Sequence, residues 1–180
     1  LGLADELIRN GSIAESFDFY SQGGKKLGSL NQNMQQRFGQ PAVNMCRATL
    51  NETLIDKAWA SNVSVFFEKR LVKIEDRGDQ PVIAYFADGT TAEGDFVIGA
   101  DGVHSAVRRH VIPDGPTPFD TGLIGFGGFV PRAVIEHLPI GQRVETTFGQ
   151  SGFFGYGMCS PDPQAGVMWW STQPSHGMTA

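Results

Sequence analysis

The stretch GDFVIGADGVHSAVRR, residues 94–109, constrains the fold of this chain more than any other. Phe96, Val97 and Ile98 follow Asp95 without a polar interruption, and such a continuous apolar run is expected of a strand buried on both faces of a parallel sheet. Gly99-Ala100-Asp101-Gly102 then supplies a turn. Ser105 is a good helix N-cap, so Ser105 to Val111 is predicted to be a short helix closed by Pro113. A strand that ends in glycine-permitted backbone and feeds a helix N-terminus is where an α/β fold binds phosphate or ribose. The Asp-Gly pairs at 88–89 and 114–115 lack this framing and read as simple turns.

The rest of the chain divides by texture. Leu3, Leu7 and Ile8 predict a helix over 3–10, and SIAESFDFYSQ alternates as a strand that returns through the GGKK turn into LGSL. Residues 31–40 give no clear pattern. PAVNMC suits a short strand, and RATLNETLIDKAWA a helix with Leu50, Leu54, Ile55 and Ala58 on its apolar stripe. VSVFF, KRLVKIED and PVIAYFADG read as three strands. From Phe119 onward charge is sparse and glycine and aromatics dominate. LIGFGGFV, QRVETTF, GFFGYGMC and GVMWWST are predicted strands, with one helix near RAVIEHL. Successive strands with short turns indicate an antiparallel sheet. The expected fold class is therefore mixed α/β: a nucleotide-binding part over 1–115 and an antiparallel β domain over 116–180, with residues 11–40 contributing to the same sheet.

Composition narrows the function. At 180 residues with 41% hydrophobic and 18% charged positions, the chain can bury a core and is neither disordered nor low-complexity. Its net charge of −5 comes from well-mixed signs, which argues against a nucleic-acid partner. No apolar run is long enough to span a membrane, and no signal-peptide pattern opens the chain, so a cytoplasmic setting is expected. Cys46 and Cys159 show no metal-ligand spacing with the four histidines and are expected to be reduced, buried thiols, with no metal site. Nothing in the sequence fixes the oligomeric state.

Asp95, Gly99, Ala100, Asp101, Gly102, Ser105 and Arg108 reproduce the order of a specific Asp-Gly motif. In these residues the chain resembles the single-component flavoprotein monooxygenases, the family of para-hydroxybenzoate hydroxylase and related aromatic hydroxylases. CRATLNETLIDKA is similar to the family's Arg-x-x-Leu-x-x-x-Leu helix, which makes Arg47 the match to an arginine that reaches the FAD pyrophosphate and flavin. Taken alone, Arg47 is also compatible with an exposed helix-start arginine. FFEKRLVKIED resembles the next strand pair, where backbone near the match to Leu71 contacts adenine.

The resemblance implies a partial FAD-binding, Rossmann-like domain with Arg47, Leu71, Asp95, Asp101, Gly102, Ser105 and Arg108 as cofactor-binding residues. It also implies an antiparallel β-sheet substrate domain. NADPH or NADH would reduce FAD, molecular oxygen would add to give a flavin hydroperoxide, and one oxygen atom would pass to the substrate. Arg108 is a candidate for the nicotinamide cofactor's phosphates as well. The flavin carries that chemistry, so no catalytic side chain is named, and His104 and His110 are expected in capping or surface roles.

In GFFGYGMCS, alternation puts Phe153, Gly155 and Gly157 on one strand face and Phe154, Tyr156 and Met158 on the other. The glycines admit close approach by a substrate ring, or else serve packing around Trp169 and Trp170. The charge-poor, aromatic surroundings favour a small apolar or aromatic substrate.

Two family signatures are absent from the sequence. Gly125 and Gly127 start a Gly-x-Gly, but Val130 stands at the third glycine's place, and no later Gly-Asp segment is present. The chain is therefore expected to be the middle of a longer monooxygenase that binds FAD weakly or not at all in isolation. The competing readings are a related Asp-Gly flavoprotein that reduces or halogenates, and a non-enzymatic β-rich binding module. The last predicts unchanged flavin content when Arg47 and Asp101 are replaced.

Overall fold

The structure, a computed structural model, describes residues 2–31, 33–162, 164 and 166–175. In chain order its elements are α1 (Ala4–Asn10), β1 (Ser12–Ile13), β2 (Ser16–Ser21), β3 (Lys26–Asn31), α2 (Met34–Phe38), β4 (Val43–Asn44) and α3 (Arg47–Ala60). There follow β5 (Leu71–Glu75), β6 (Val82–Phe86), β7 (Thr91–Gly94), α4 (Ala106–Val111) and β8 (Leu123–Val130). A 3-10 turn at Arg132–Ile135 then leads to β9 (Arg143–Phe148), β10 (Phe153–Met158) and β11 (Val167–Pro174). The chain forms two compact units, one of Leu1–Val63 with Gly122–Ala180 and one of Ser64–Thr121. The fold is mixed α/β.

The first unit is built on a six-stranded sheet in the order β3-β2-β9-β10-β11-β8. All neighbours are antiparallel except β2 and β9, which run parallel with Phe17 opposite Val144 and Phe19 opposite Thr146. The early hairpin thus joins the glycine- and aromatic-rich strands. Its turn needs Gly24 at φ +79°, and the amide of Gly24 donates to the Ser21 carbonyl at 2.9 Å. Cross-strand partners share a face, so Phe153, Gly155 and Gly157 lie with Thr172, Trp170 and Met168, while Phe154, Tyr156 and Trp169 point the other way. Val144, Thr146 and Val167 are buried within this sheet, and Cys159 is buried just beyond the end of β10.

Asp18 is also buried, on β2. Its carboxylate accepts hydrogen bonds from the Ser29 hydroxyl and, at 2.9 Å, from Lys26 Nζ across the hairpin. Burial of a carboxylate is tolerable only with such partners. β1 and β4 form a separate two-stranded pair, Ser12 opposite Asn44, and α1 packs on α3.

The second unit holds the antiparallel sheet β5-β6-β7 with α4 packed on β5. Lys69 pairs with Asp88, and the Asp88 carboxyl accepts from the Thr90 amide at 3.0 Å, which fixes the turn at Gly89, φ +82°.

Four sequence expectations are corrected. The apolar run 95–100 is not in a sheet: Phe96 is 72% and Ile98 78% exposed. A strand needs neighbours to pair its amides and carbonyls, and among the described residues no strand pairs with it. VSVFF is likewise no strand, with Phe66 and Phe67 exposed. RAVIEHL contains only the 3-10 turn, its amides held locally by Val134 to Pro131 and Leu138 to Ile135 hydrogen bonds. On α3 the buried residue is Thr53, whose hydroxyl donates to the Thr49 carbonyl at 2.9 Å, and Leu50 and Leu54 are exposed. The residues with no clear pattern, 31–40, contain the short α2. Cys159 is buried and Cys46 half-buried, both free, and burial pushes the Cys159 thiol pKa up. No helix among the described residues is long and apolar enough to cross a membrane.

Candidate functional site

In the second unit the Asp-Gly motif is organised by one carboxylate. Asp101 Oδ2 accepts from the amides of Ala106 at 2.7 Å and Val107 at 3.3 Å, and Oδ1 accepts from the Ser105 hydroxyl. Ser105 Oγ in turn accepts from the Arg108 amide at 2.9 Å. Two side chains therefore serve the amides that open α4, and the Ser105 bond, aided by those amides, holds the Asp101 carboxyl below its ordinary value. These amides are taken by the protein's own groups rather than left for a ligand phosphate.

Gly102, next to this clamp, has φ +79°, and nothing lies within 4 Å of where a Cβ would stand. Gly99 is closed in by contrast: a Cβ there would lie 2.5 Å from Val107 Cβ. The sequence placed Gly99 in the motif without giving this reason, which is close approach of the turn to the helix.

A cleft of about 490 Å³ opens between this motif and the sheet of the same unit. Leu71 and Asp101 both line it, together with Phe86, Val97, His104 and Arg109. The last two were not singled out as cofactor residues in the sequence, and only their adjacency to the motif could have marked them. Arg108 and Arg109 are braced by backbone, through Arg108 Nη2 to the Val103 carbonyl at 2.5 Å and Arg109 Nη1 to the His104 carbonyl at 2.7 Å. Asp95 is exposed just after β7. The structure thus brings Leu71, Asp101, Gly102, Ser105 and Arg108 into one small unit.

In the first unit Arg47 is exposed as the opening residue of α3. The N-cap position is Cys46, which makes no side-chain capping bond, so the cation sits at the positive end of a 14-residue helix. Asn44, on the strand leading to that junction, reaches the main sheet: its Nδ2 is 3.5 Å from where a Cβ on Gly157 would stand. The junction that carries Arg47 therefore packs on the same sheet face as Phe153, Gly155 and Gly157.

That face is tightly fitted, since a Cβ on Gly157 would come within 3.1 Å of Val144 and one on Gly155 within 2.5 Å of the Trp170 indole. The opposite face carries Phe154 and Trp169, stacked at 6.0 Å, and a polar chain. There Arg143 Nε donates to Glu145 at 2.6 Å and Tyr156 O–H to the other carboxylate oxygen at 2.7 Å. Burial, reinforced by the Glu145 bond, pushes the Tyr156 phenol up to about 12. Among the described residues no cluster of His, Cys, Asp and Glu could hold a metal ion.

Comparison with known proteins adds to this geometry. A family model described as FAD binding domain matches residues 1–174. The chain is 36% identical over 147 residues to 3-amino-4-hydroxybenzoate 2-monooxygenase of Streptomyces cremeus, covering 80% of this chain and 36% of that protein. It is 33% identical over 152 residues to 6-methylsalicylate 1-monooxygenase of Aspergillus terreus, covering 81% of this chain and 33% of that protein. The chain thus spans about a third of the length of these relatives. Among solved structures, Klebsiella pneumoniae HpxO complexed with FAD and uric acid superposes with a TM-score of 0.79 at 24% identity, over 99% of this chain and 44% of that one.

Proposed function

The chain belongs to the FAD binding domain family, and from that premise we propose that it is the central part of an NAD(P)H-using monooxygenase that hydroxylates a small apolar or aromatic molecule. The observation that carries the reading is the Asp101 clamp: a turn locked by a carboxylate and a serine presents Gly102, in a conformation suited to glycine, to open space. A dinucleotide backbone can approach where no Cβ projects.

FAD suits the donors available. Arg47 offers a fixed fork of donors at an uncapped helix start, which suits a pyrophosphate. Leu71 lies at the start of β5 in the cleft beside the motif, where its backbone and the apolar walls of Phe86 and Val97 suit an adenine ring. Asp95, Ser105 and Arg108 complete the set: Ser105 and Asp101 position the turn, and Arg108 is the candidate for nicotinamide-cofactor phosphates. When bound, FAD supplies electron transfer from NADPH or NADH and activation of molecular oxygen. The protein's task is to hold the dinucleotide, orient the ring and exclude water.

In this reading residues 1–115 are the FAD-binding part, except that strands within 11–40 join the substrate sheet of 116–180. The face of Phe153, Gly155 and Gly157 lines the substrate, and the setting is cytoplasmic. The two named relatives, by their names, act on substituted benzoates, which supports a small aromatic substrate.

The test is flavin content. In the full-length protein, Arg47→Ala and Gly102→Val are expected to lower the bound FAD per polypeptide by at least about tenfold, the loss of one charge-assisted contact or one backbone approach. Unchanged flavin absorbance in both variants would overturn the cofactor reading.

A further inference from the structure

Cys46 and Cys159 are 113 positions apart in sequence, yet the fold brings together the segments that carry them. Asn44 Nδ2 lies 3.5 Å from where a Cβ on Gly157 would stand, and from that contact each segment runs two residues to its cysteine. Cys159 is buried just past β10, its thiol 3.6 Å from the Gly166 carbonyl oxygen. Cys46 is half-buried at the N-cap position of α3, where it makes no side-chain capping bond. The two sulfurs lie within electrostatic reach of each other: after burial, charge on Cys46 is the next cause that raises the Cys159 pKa. Both are free thiols, and neither has a part in holding the cofactor.

We propose that Cys46 and Cys159 form a redox modification site, a dithiol that closes to an intramolecular disulfide when a small disulfide such as glutathione disulfide accumulates. Cys46 is the accessible sulfur. Its thiolate bonds to one glutathione sulfur, the glutathione S–S bond breaks, and the other glutathione leaves as thiolate. The Cys159 thiolate then attacks the Cys46 sulfur, and the second glutathione leaves in turn. Overall the two protein thiols lose two electrons and two protons, and one glutathione disulfide becomes two glutathione thiols. Because Arg47 is the next residue after Cys46, the bond tethers the junction that carries it to the end of β10.

The test is the thiol–disulfide equilibrium of the 180-residue chain in glutathione buffers, quenched with acid and mapped by mass spectrometry. Trypsin should release residues 38–47, which carry Cys46, linked to the peptide that begins at Val144 and carries Cys159. The effective concentration of one thiol toward the other should be at least about tenfold higher in the folded chain than in urea, where only chain connectivity brings them together. Cys159→Ser should stop at a mixed disulfide of Cys46 with glutathione, and Cys46→Ser should leave Cys159 unmodified until the chain unfolds. Should the 180-residue chain not stay folded, the same linked peptides are sought in the FAD-loaded full-length protein. Absence of the linked peptides from the folded protein, or an equal effective concentration folded and in urea, overturns the proposal. Failure of the FAD reading is separate: it shows as unchanged flavin content in Arg47→Ala, whatever the thiols do.

Discussion

Gly99 and Gly102 sit three positions apart and are glycines for different reasons, so their substitutions should behave differently. Gly99→Ala drives a methyl into Val107 and should cost about 1–3 kcal/mol by overpacking. Gly102→Ala meets no atom but must hold φ +79°, at about 1–2 kcal/mol, and Gly102→Asn should recover part of that loss. Urea denaturation of the three variants separates the two mechanisms.

Titratable residues give signed expectations. Hydrogen bonds from Ser29 and Lys26 lower the Asp18 pKa below its ordinary 3.8. The stability from this buried carboxylate is therefore full above that ordinary value and is lost as pH falls through the lowered one. Asp18→Asn should flatten the acid limb of a stability-versus-pH curve in that range while lowering stability at neutral pH. Tyr156 is raised to about 12, so in an absorbance titration of the folded protein one of the three tyrosines should ionise only near that pH, and Tyr156→Phe should remove that step. Stability falls as pH rises from the ordinary tyrosine value of 10.0 towards 12, because the unfolded chain ionises first.

At the level of elements, α4 shows what a sequence can disclose and what it leaves out. Ser105 was legible as a cap because its hydroxyl and its place before an apolar residue are local facts, and its Oγ does take the Arg108 amide. The role of Asp101 as a second cap was not, since it depends on how the turn folds back. Ser105→Ala should cost about 1 kcal/mol and speed amide hydrogen exchange at Val107 and Arg108.

The strands from Leu123 onward were legible for the same local reason, alternation broken by turns. The run 95–100 misled because periodicity describes a segment's faces, and not whether another strand is there to pair with it. For α3 the leucine stripe implied a buried face, yet Leu50 and Leu54 are exposed. Of the candidate site, the residues of the Asp-Gly motif could be read directly. The packing of the Arg47 junction at Gly157 could not, since Asn44 carries no distinguishing sequence signal.

Over the whole chain, the family model runs through both units while the Gly-x-Gly-x-x-Gly fingerprint is missing from the sequence. Purified residues 1–180 are accordingly expected to carry substoichiometric FAD or none, read as absorbance near 450 nm; a full equivalent would contradict the proposal. The exposed Phe96 and Ile98 should also make this chain bind an apolar dye more strongly than the full-length protein does.

The parallel pairing of β2 with β9 has a consequence in time. The last residue of β9, Phe148, follows the first of β2 by most of the chain, and the whole of Ser64–Thr121 is synthesised between them. On a ribosome the β2–β3 hairpin emerges early, and an isolated hairpin is at best marginally stable. Its inner edge stays open until β9 arrives. The contiguous unit has all its strands in hand first. The sheet that spans both ends of the sequence therefore closes late, and long-range pairing of this kind is slow. During that interval the cell must keep the β2 edge from other strands.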